Sequence, residues 1–96
     1  MKPQTVKCPI TKVAELLSDT WTMLIMHFLM DKPKRFSDLE KSLTGISTRT
    51  LTLKLKKLLL EKMIIKNKDG YYEVTKKGKG LKIIENSMIR YDKKYL

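Results

Sequence analysis

An apolar stretch at helical spacing dominates the first third of the chain. Trp21, Leu24, Ile25, Phe28 and Leu29 recur at i, i+3, i+4, i+7 and i+8, which predicts a helix from about Thr20 to Met30 with this stripe facing the core. Asp31-Lys32-Pro33 ends it, because proline cannot continue the hydrogen-bond ladder. The run from Trp21 to Met30 is interrupted by Thr22 and His27 and falls well short of the roughly 20 apolar residues that cross a bilayer. With 96 residues in all, residues 1–96 are read as a single domain that must pack around this helix.

The flanking segments supply the rest of a mainly helical fold. Pro9 suits the first position of a helix over residues 9–18, with Cys8 at the cap and Ile10, Val13, Ala14 and Leu17 on one stripe. After Pro33, Ser37 and Glu40 have capping-box spacing with Phe36 as a staple, which predicts a short helix to about Leu43. Thr44-Gly45 makes a turn and Ser47 caps a new start. The stretch Thr50–Lys56 alternates like a strand, but Leu51, Leu55, Leu58 and Leu59 hold helical spacing to about Lys62. Two short helices joined by a glycine-containing turn are read as a helix-turn-helix over about 37–62.

Residues 63–66 and 71–74 are β-rich and flank Asn67-Lys68-Asp69-Gly70, a strong hairpin signal. They predict a small β-hairpin wing over about 63–74. A final helix over about 75–96 carries Leu81, Ile84, Met88, Tyr91 and Tyr95 at spacings of three and four, a narrow seam of the coiled-coil type. That seam predicts a homodimer.

Charge is distributed unevenly. Residues 1–31 balance Lys2, Lys7 and Lys12 against Glu15, Asp19 and Asp31, and residues 83–96 carry only +1, so +10 of the net +11 falls in residues 32–82. A basic middle points to a polyanionic partner more than to general solvation. One cysteine and one histidine exclude an intrachain disulfide and a Cys/His zinc site. There is no nucleophile–base set, phosphate-binding glycine loop or metal site, so neither an enzyme nor a cofactor is expected. MKPQTVKCPI lacks the apolar stretch of a signal peptide, and the expected location is the cytoplasm, with no membrane partner.

Several short motifs occur together and in order. These are Cys8-Pro9, Trp21, Arg35-Phe36-Ser37-Asp38-Leu39, Gly45-Ile46-Ser47 with Arg49 and Leu51, Leu55 and Leu58, and Tyr72-Glu73-Val74-Thr75-Lys76-Lys77-Gly78. From residue 8 to about 80 the chain resembles the HxlR-type winged helix-turn-helix regulators. The resemblance implies a cytoplasmic prokaryotic transcription regulator, related to the MarR group, that binds DNA as a homodimer, with terminal helices forming the dimer interface: Ile10 of the first helix and the seam residues Leu81, Ile84, Met88, Tyr91 and Tyr95 of the last. It also implies a redox or electrophile sensor at the cysteine before the proline, as in some members. The chain departs from the family pattern at Ser18-Asp19-Thr20, Thr48, Leu53 and Lys62, the last standing where a helix-ending glycine is usual, and its wing is short.

Under this reading the second helix of the motif lies in the major groove of double-stranded DNA. Ser47, Thr48, Arg49, Thr50, Thr52, Leu53, Lys54 and Lys56 lie off its core stripe and are the expected groove contacts, with Arg49 foremost. Lys34, Arg35 and Ser37 would meet phosphates at the preceding helix, and Lys66 and Lys68 would do so from the wing. Cys8, beside Lys7 and Lys12 at a helix start, is either a reactive thiolate or an inert cap. No small-molecule effector is identified, and the methionines are read as core filler, with His27 as a packing or surface residue. A winged-helix adaptor for other proteins and an RNA-binding module are the alternative functions.

Overall fold

The computed structural model describes residues 8–17 and 19–96. Lys7, one of the two cations expected near Cys8, and Ser18 lie outside the described residues. In chain order the elements are α1 (Pro9–Leu16), α2 (Thr20–Asp31), α3 (Phe36–Ser42), α4 (Thr48–Leu60), β1 (Ile64–Lys66), β2 (Tyr72–Val74), α5 (Lys76–Lys79) and α6 (Lys82–Tyr95). The chain is mainly helical with one two-stranded antiparallel hairpin, as the sequence predicts. No helix among the described residues is long and apolar enough to cross a membrane.

Helix α2 is central, but its phase differs from expectation. The buried side chains are Thr22, Ile25, Met26 and Leu29, whereas Leu24 is exposed and Trp21 and Phe28 are only partly buried. Because this helix is apolar around most of its circumference, periodicity alone does not select the inward face; the neighbours do. Asp19 caps its first turn, accepting from the Thr22 amide at 2.8 Å.

Helix α3 begins two residues earlier than the Ser37–Glu40 capping box implies. Arg35 occupies the cap position, and its amide donates to Asp38 Oδ2 at 3.2 Å. Glu40 is drawn away to accept the Thr48 hydroxyl at 2.7 Å, which ties α3 to the start of α4. Helix α4 buries Leu51, Leu55 and Leu58, so the helical reading of the alternating stretch holds, although Leu59 lies at the exposed edge of its stripe.

Helix α4 ends in a Schellman motif. The Met63 amide donates to Leu58 O at 3.0 Å and the Lys62 amide to Leu59 O at 3.1 Å. Lys62 has φ +60°, the left-handed conformation that glycine adopts without steric cost. Leu58 and Met63 are both buried, the apolar pairing that accompanies this motif.

In the hairpin, Ile64, Ile65 and Lys66 pair with Val74, Glu73 and Tyr72. Lys34 adds a bridge on the other side of β2, exchanging backbone bonds with Tyr72 at 3.0 and 2.8 Å. That bridge anchors the segment before α3 to the wing.

The C-terminal helix is broken. Helix α5 is capped by Thr75, whose hydroxyl accepts from the Gly78 amide, and the chain turns at Gly80 before α6 begins. At Gly78 a Cβ would overlap the carbonyl oxygen of Met63, so only glycine lets α5 sit against the end of the motif. The break directs Leu81 into the core, where it is buried, and leaves Ile84 half-buried against it. These two residues, expected in a dimer seam, pack inside the monomer instead.

Candidate nucleic-acid interface

The interface is built on α4. Burial of Leu51, Leu55 and Leu58 holds one face against the core and presents the other to solvent. Thr48, Arg49, Thr52, Leu53 and Lys56 are exposed and Thr50 is half-buried. Leu53, at 52% exposure, is an apolar side chain on an otherwise polar face.

The hydroxyls at the start of α4 have local work. Ser47 accepts from the Thr50 amide at 3.0 Å, capping the helix, and donates to Thr50 Oγ1 at 2.9 Å. Thr52 donates back to the Thr48 carbonyl at 2.8 Å. These bonds set the helix start and the rotamers of the exposed hydroxyls.

Lys54 is not part of the exposed face. Its ammonium donates to Asp19 Oδ2 at 2.6 Å, with both side chains largely covered. Partial burial pushes the Asp19 carboxyl up. The Lys54 bond and the Thr22 amide more than offset this and hold it below the usual carboxylate range. Lys54 therefore joins α4 to the cap of α2, a role invisible in sequence because the partners are 35 residues apart.

The segment before α3 and the wing converge. The Arg35 guanidinium lies 4.4 Å from the centre of the Tyr71 ring, a cation–π contact across to the hairpin. Lys34 is fixed by its backbone pairing with Tyr72, and Ser37 is exposed on the first turn of α3. Lys32, Lys34, Lys41 and Tyr71 line part of a cleft of about 510 Å³. Lys32 and Lys41 went unselected from the sequence. Their position inside the +10 segment was the available signal.

The wing tip is organised by one side chain. Asn67 Oδ1 accepts from the Asp69 amide at 2.9 Å and the Tyr71 amide at 3.1 Å, while Nδ2 donates to Glu73 at 2.9 Å. Gly70 adopts φ +86°, which closes the turn. Lys68 is exposed at this tip, and Lys66 lies 5.3 Å from the Tyr72 ring centre.

Helix α1 has no buried residue and Ile10 is 80% exposed. Met88, Tyr91 and Tyr95 are also exposed on α6, and the two tyrosine rings lie 4.9 Å apart, tilted by 43°. Cys8 is exposed at the start of α1. The backbone amides of Thr11 and Ile10, then the Thr11 hydroxyl, hold its thiol below the ordinary value. His27 bonds Glu85 at 2.7 Å, and no group of His, Cys, Asp and Glu among the described residues could hold a metal ion.

Comparison with known proteins bears on this architecture. The uncharacterized HTH-type transcriptional regulator sll1512 of Synechocystis sp. (strain ATCC 27184 / PCC 6803 / Kazusa) is 39% identical over 67 residues, 70% of this chain and 48% of its own length. The chain thus spans about half of that relative. YodB, an HTH-type transcriptional regulator of Bacillus subtilis (strain 168), is 33% identical over 88 residues, covering 84% of this chain and 79% of YodB. The crystal structure of quinone-bound YodB matches with a TM-score of 0.85 at 30% identity, over 93% of this chain and 100% of that one. These relatives are transcriptional regulators rather than enzymes. The model of the HxlR-like helix-turn-helix family matches residues 16–96, and the chain belongs to that family of transcriptional regulators.

Proposed function

We propose that the chain binds double-stranded DNA sequence-specifically as a homodimer on a pseudo-palindromic operator, with half-sites about one helical turn apart. In this reading residues 37–62 form the helix-turn-helix, 63–74 the wing and 75–96 the dimerising region. The observation that carries it is the exposed, mostly polar face of α4, where Thr48, Arg49, Thr52, Leu53 and Lys56 stand opposite a buried leucine stripe. Arg49 is the principal base or phosphate contact. Lys34, Arg35, Ser37, Lys66 and Lys68 meet the sugar–phosphate backbone, with Lys32 and Lys41 added. Ser47 and Thr50 shape the helix start. Exposed Ile10, Met88, Tyr91 and Tyr95 support dimerisation through α1 and α6.

Cys8 is the proposed sensor of oxidants or electrophiles. Its support is an exposed thiol favoured in the thiolate form, together with the quinone-bound, reduced and diamide-treated structures of YodB. With one cysteine per chain, oxidation would join two chains or a chain and a small thiol.

The test is a fluorescence-anisotropy titration of reduced protein at several salt concentrations. Its targets are duplex from upstream of the protein's own gene, a scrambled duplex and a structured RNA. Tighter binding to the upstream duplex, falling steeply with salt, is expected. Equal binding to both duplexes would remove sequence specificity from the reading. Preference for RNA, or no binding at low salt, would replace it with one of the two alternatives. Repeating the titration with diamide, on wild type and Cys8→Ser, should weaken only the wild type. Equal responses would leave the thiol an inert cap.

A further inference from the structure

The cleft between α2 and α6 has the opposite character to the rest of this basic protein. Glu85 is the single buried residue of α6, at 8% exposure, and with Thr22 it makes up the buried polar groups among the described residues. A buried carboxylate is costly unless paired, and an apolar residue of similar size would stabilise the helix seat at least as well. The contacts it has are external: His27 Nδ1 at 2.7 Å, from a ring that is 55% exposed, and Lys82 Nζ at 3.9 Å, beyond hydrogen-bond reach. Both fall on Oε1, and both partners can swing outward without disturbing the core.

Two openings meet at this carboxylate. One, about 350 Å³, is lined by Thr20, Met23, Leu24 and Met88 beside His27 and Glu85. The other, about 440 Å³, is lined by Phe28, Met30, Asp31 and Lys82 beside the same pair. Each is within the size range of small-molecule sites; the first is apolar in its walls, and the second mixes Phe28 and Met30 with the ionisable groups of His27, Asp31, Lys82 and Glu85. Two carboxylates, an aromatic ring and methionine thioethers outweigh the one lining ammonium, that of Lys82, whose side chain is 59% exposed, and suit a positive charge on an apolar body. Glu85 lies in the first turn of α6, so its place in the cleft is fixed by the helix start.

We propose that this cleft is a binding site for a hydrophobic organic cation, whose ammonium group takes the place of His27 on Glu85 while its apolar body lies along Met23 and Leu24. An effector role, by shifting α6 against α2, rests on the DNA-binding reading above; binding itself does not.

The test uses the full chain and three small congeners: 2-phenylethylamine, 2-phenylethanol and phenylacetate. His27 is the single histidine of the chain, so its ring Cε1–H resonance in a proton NMR spectrum reports on this cleft. The amine is expected to shift that resonance saturably, while the alcohol and the acid, up to about 10 mM, do not. Glu85→Gln keeps the size and an acceptor for His27, and should weaken amine binding about tenfold or more by calorimetry. If circular dichroism shows that this variant does not fold, Asp31→Asn at the exposed end of α2 takes its place, with a loss of about threefold. An equal shift with amine and alcohol, an unchanged affinity in the folded variant, or no saturable shift in the wild type would each overturn the proposal. DNA anisotropy with and without the amine is a separate arm, so a protein that binds the amine but no duplex would fail the regulator reading alone.

Discussion

Lys62 occupies a position where a side chain is a handicap. At φ +60° its Cβ crowds the neighbouring carbonyl, and both hydrogen bonds of the Schellman motif depend on that conformation. Lys62→Gly should raise stability by about 1 kcal/mol, or ~4–8 °C in melting temperature, less the entropy that glycine adds to the unfolded chain. A thermal melt followed by circular dichroism checks it, and an unchanged or lower midpoint would be contrary. Asp19 works in the other direction. Its carboxyl sits below its unfolded value of about 3.9, so its contribution is present above that pH and lost as pH falls through the folded value. Asp19→Ala should cost about 1 kcal/mol at neutral pH by removing the cap. Paired urea titrations should show the gap from wild type shrinking as the pH falls below about 4.

Within α4, neighbouring cations have different jobs although sequence places them together. Arg49 is exposed and off the core, whereas Lys54 is committed to Asp19. Arg49→Ala should weaken operator binding by about 1–3 kcal/mol and leave the melting temperature near that of wild type. Lys54→Ala should do the reverse, lowering stability by about 0.5–1 kcal/mol with a small effect on DNA. Anisotropy and melting measured on both proteins separate the roles, and matching profiles would refute the division. The helices and hairpin themselves were legible because leucine spacing, Ser47, Asp69-Gly70 and Pro33 are local signals. The cap of α3 was not, because Glu40 is claimed by Thr48 from the next helix.

At the scale of the molecule, the termini leave apolar surface that the monomer does not cover. Ile10 on α1 and Met88, Tyr91 and Tyr95 on α6 are exposed, while Leu81 and Ile84 are used internally. The expected dimer therefore depends on the outer part of α6. Met88→Glu or Tyr91→Glu should shift the protein to monomer at micromolar concentration in light scattering, with an unaltered circular-dichroism spectrum. Each should also reduce operator affinity, because one half-site replaces two. A variant that stays dimeric would place the interface elsewhere.

Local chemistry in the sequence was enough to determine the order of elements, the helix-turn-helix, the short wing and the concentration of charge between residues 32 and 82. These follow from spacing, turn residues and ionisable groups that act over a few positions. Contacts between distant segments decided the rest. Which face of α2 is buried, the diversion of Lys54 to Asp19, the break at Gly80 that sends Leu81 inward, and the burial of Glu85 against His27 all depend on residues far apart in the chain. An apolar helix with no polar side carries no phase information of its own, and an ion pair has no sequence signature until folding brings its partners together.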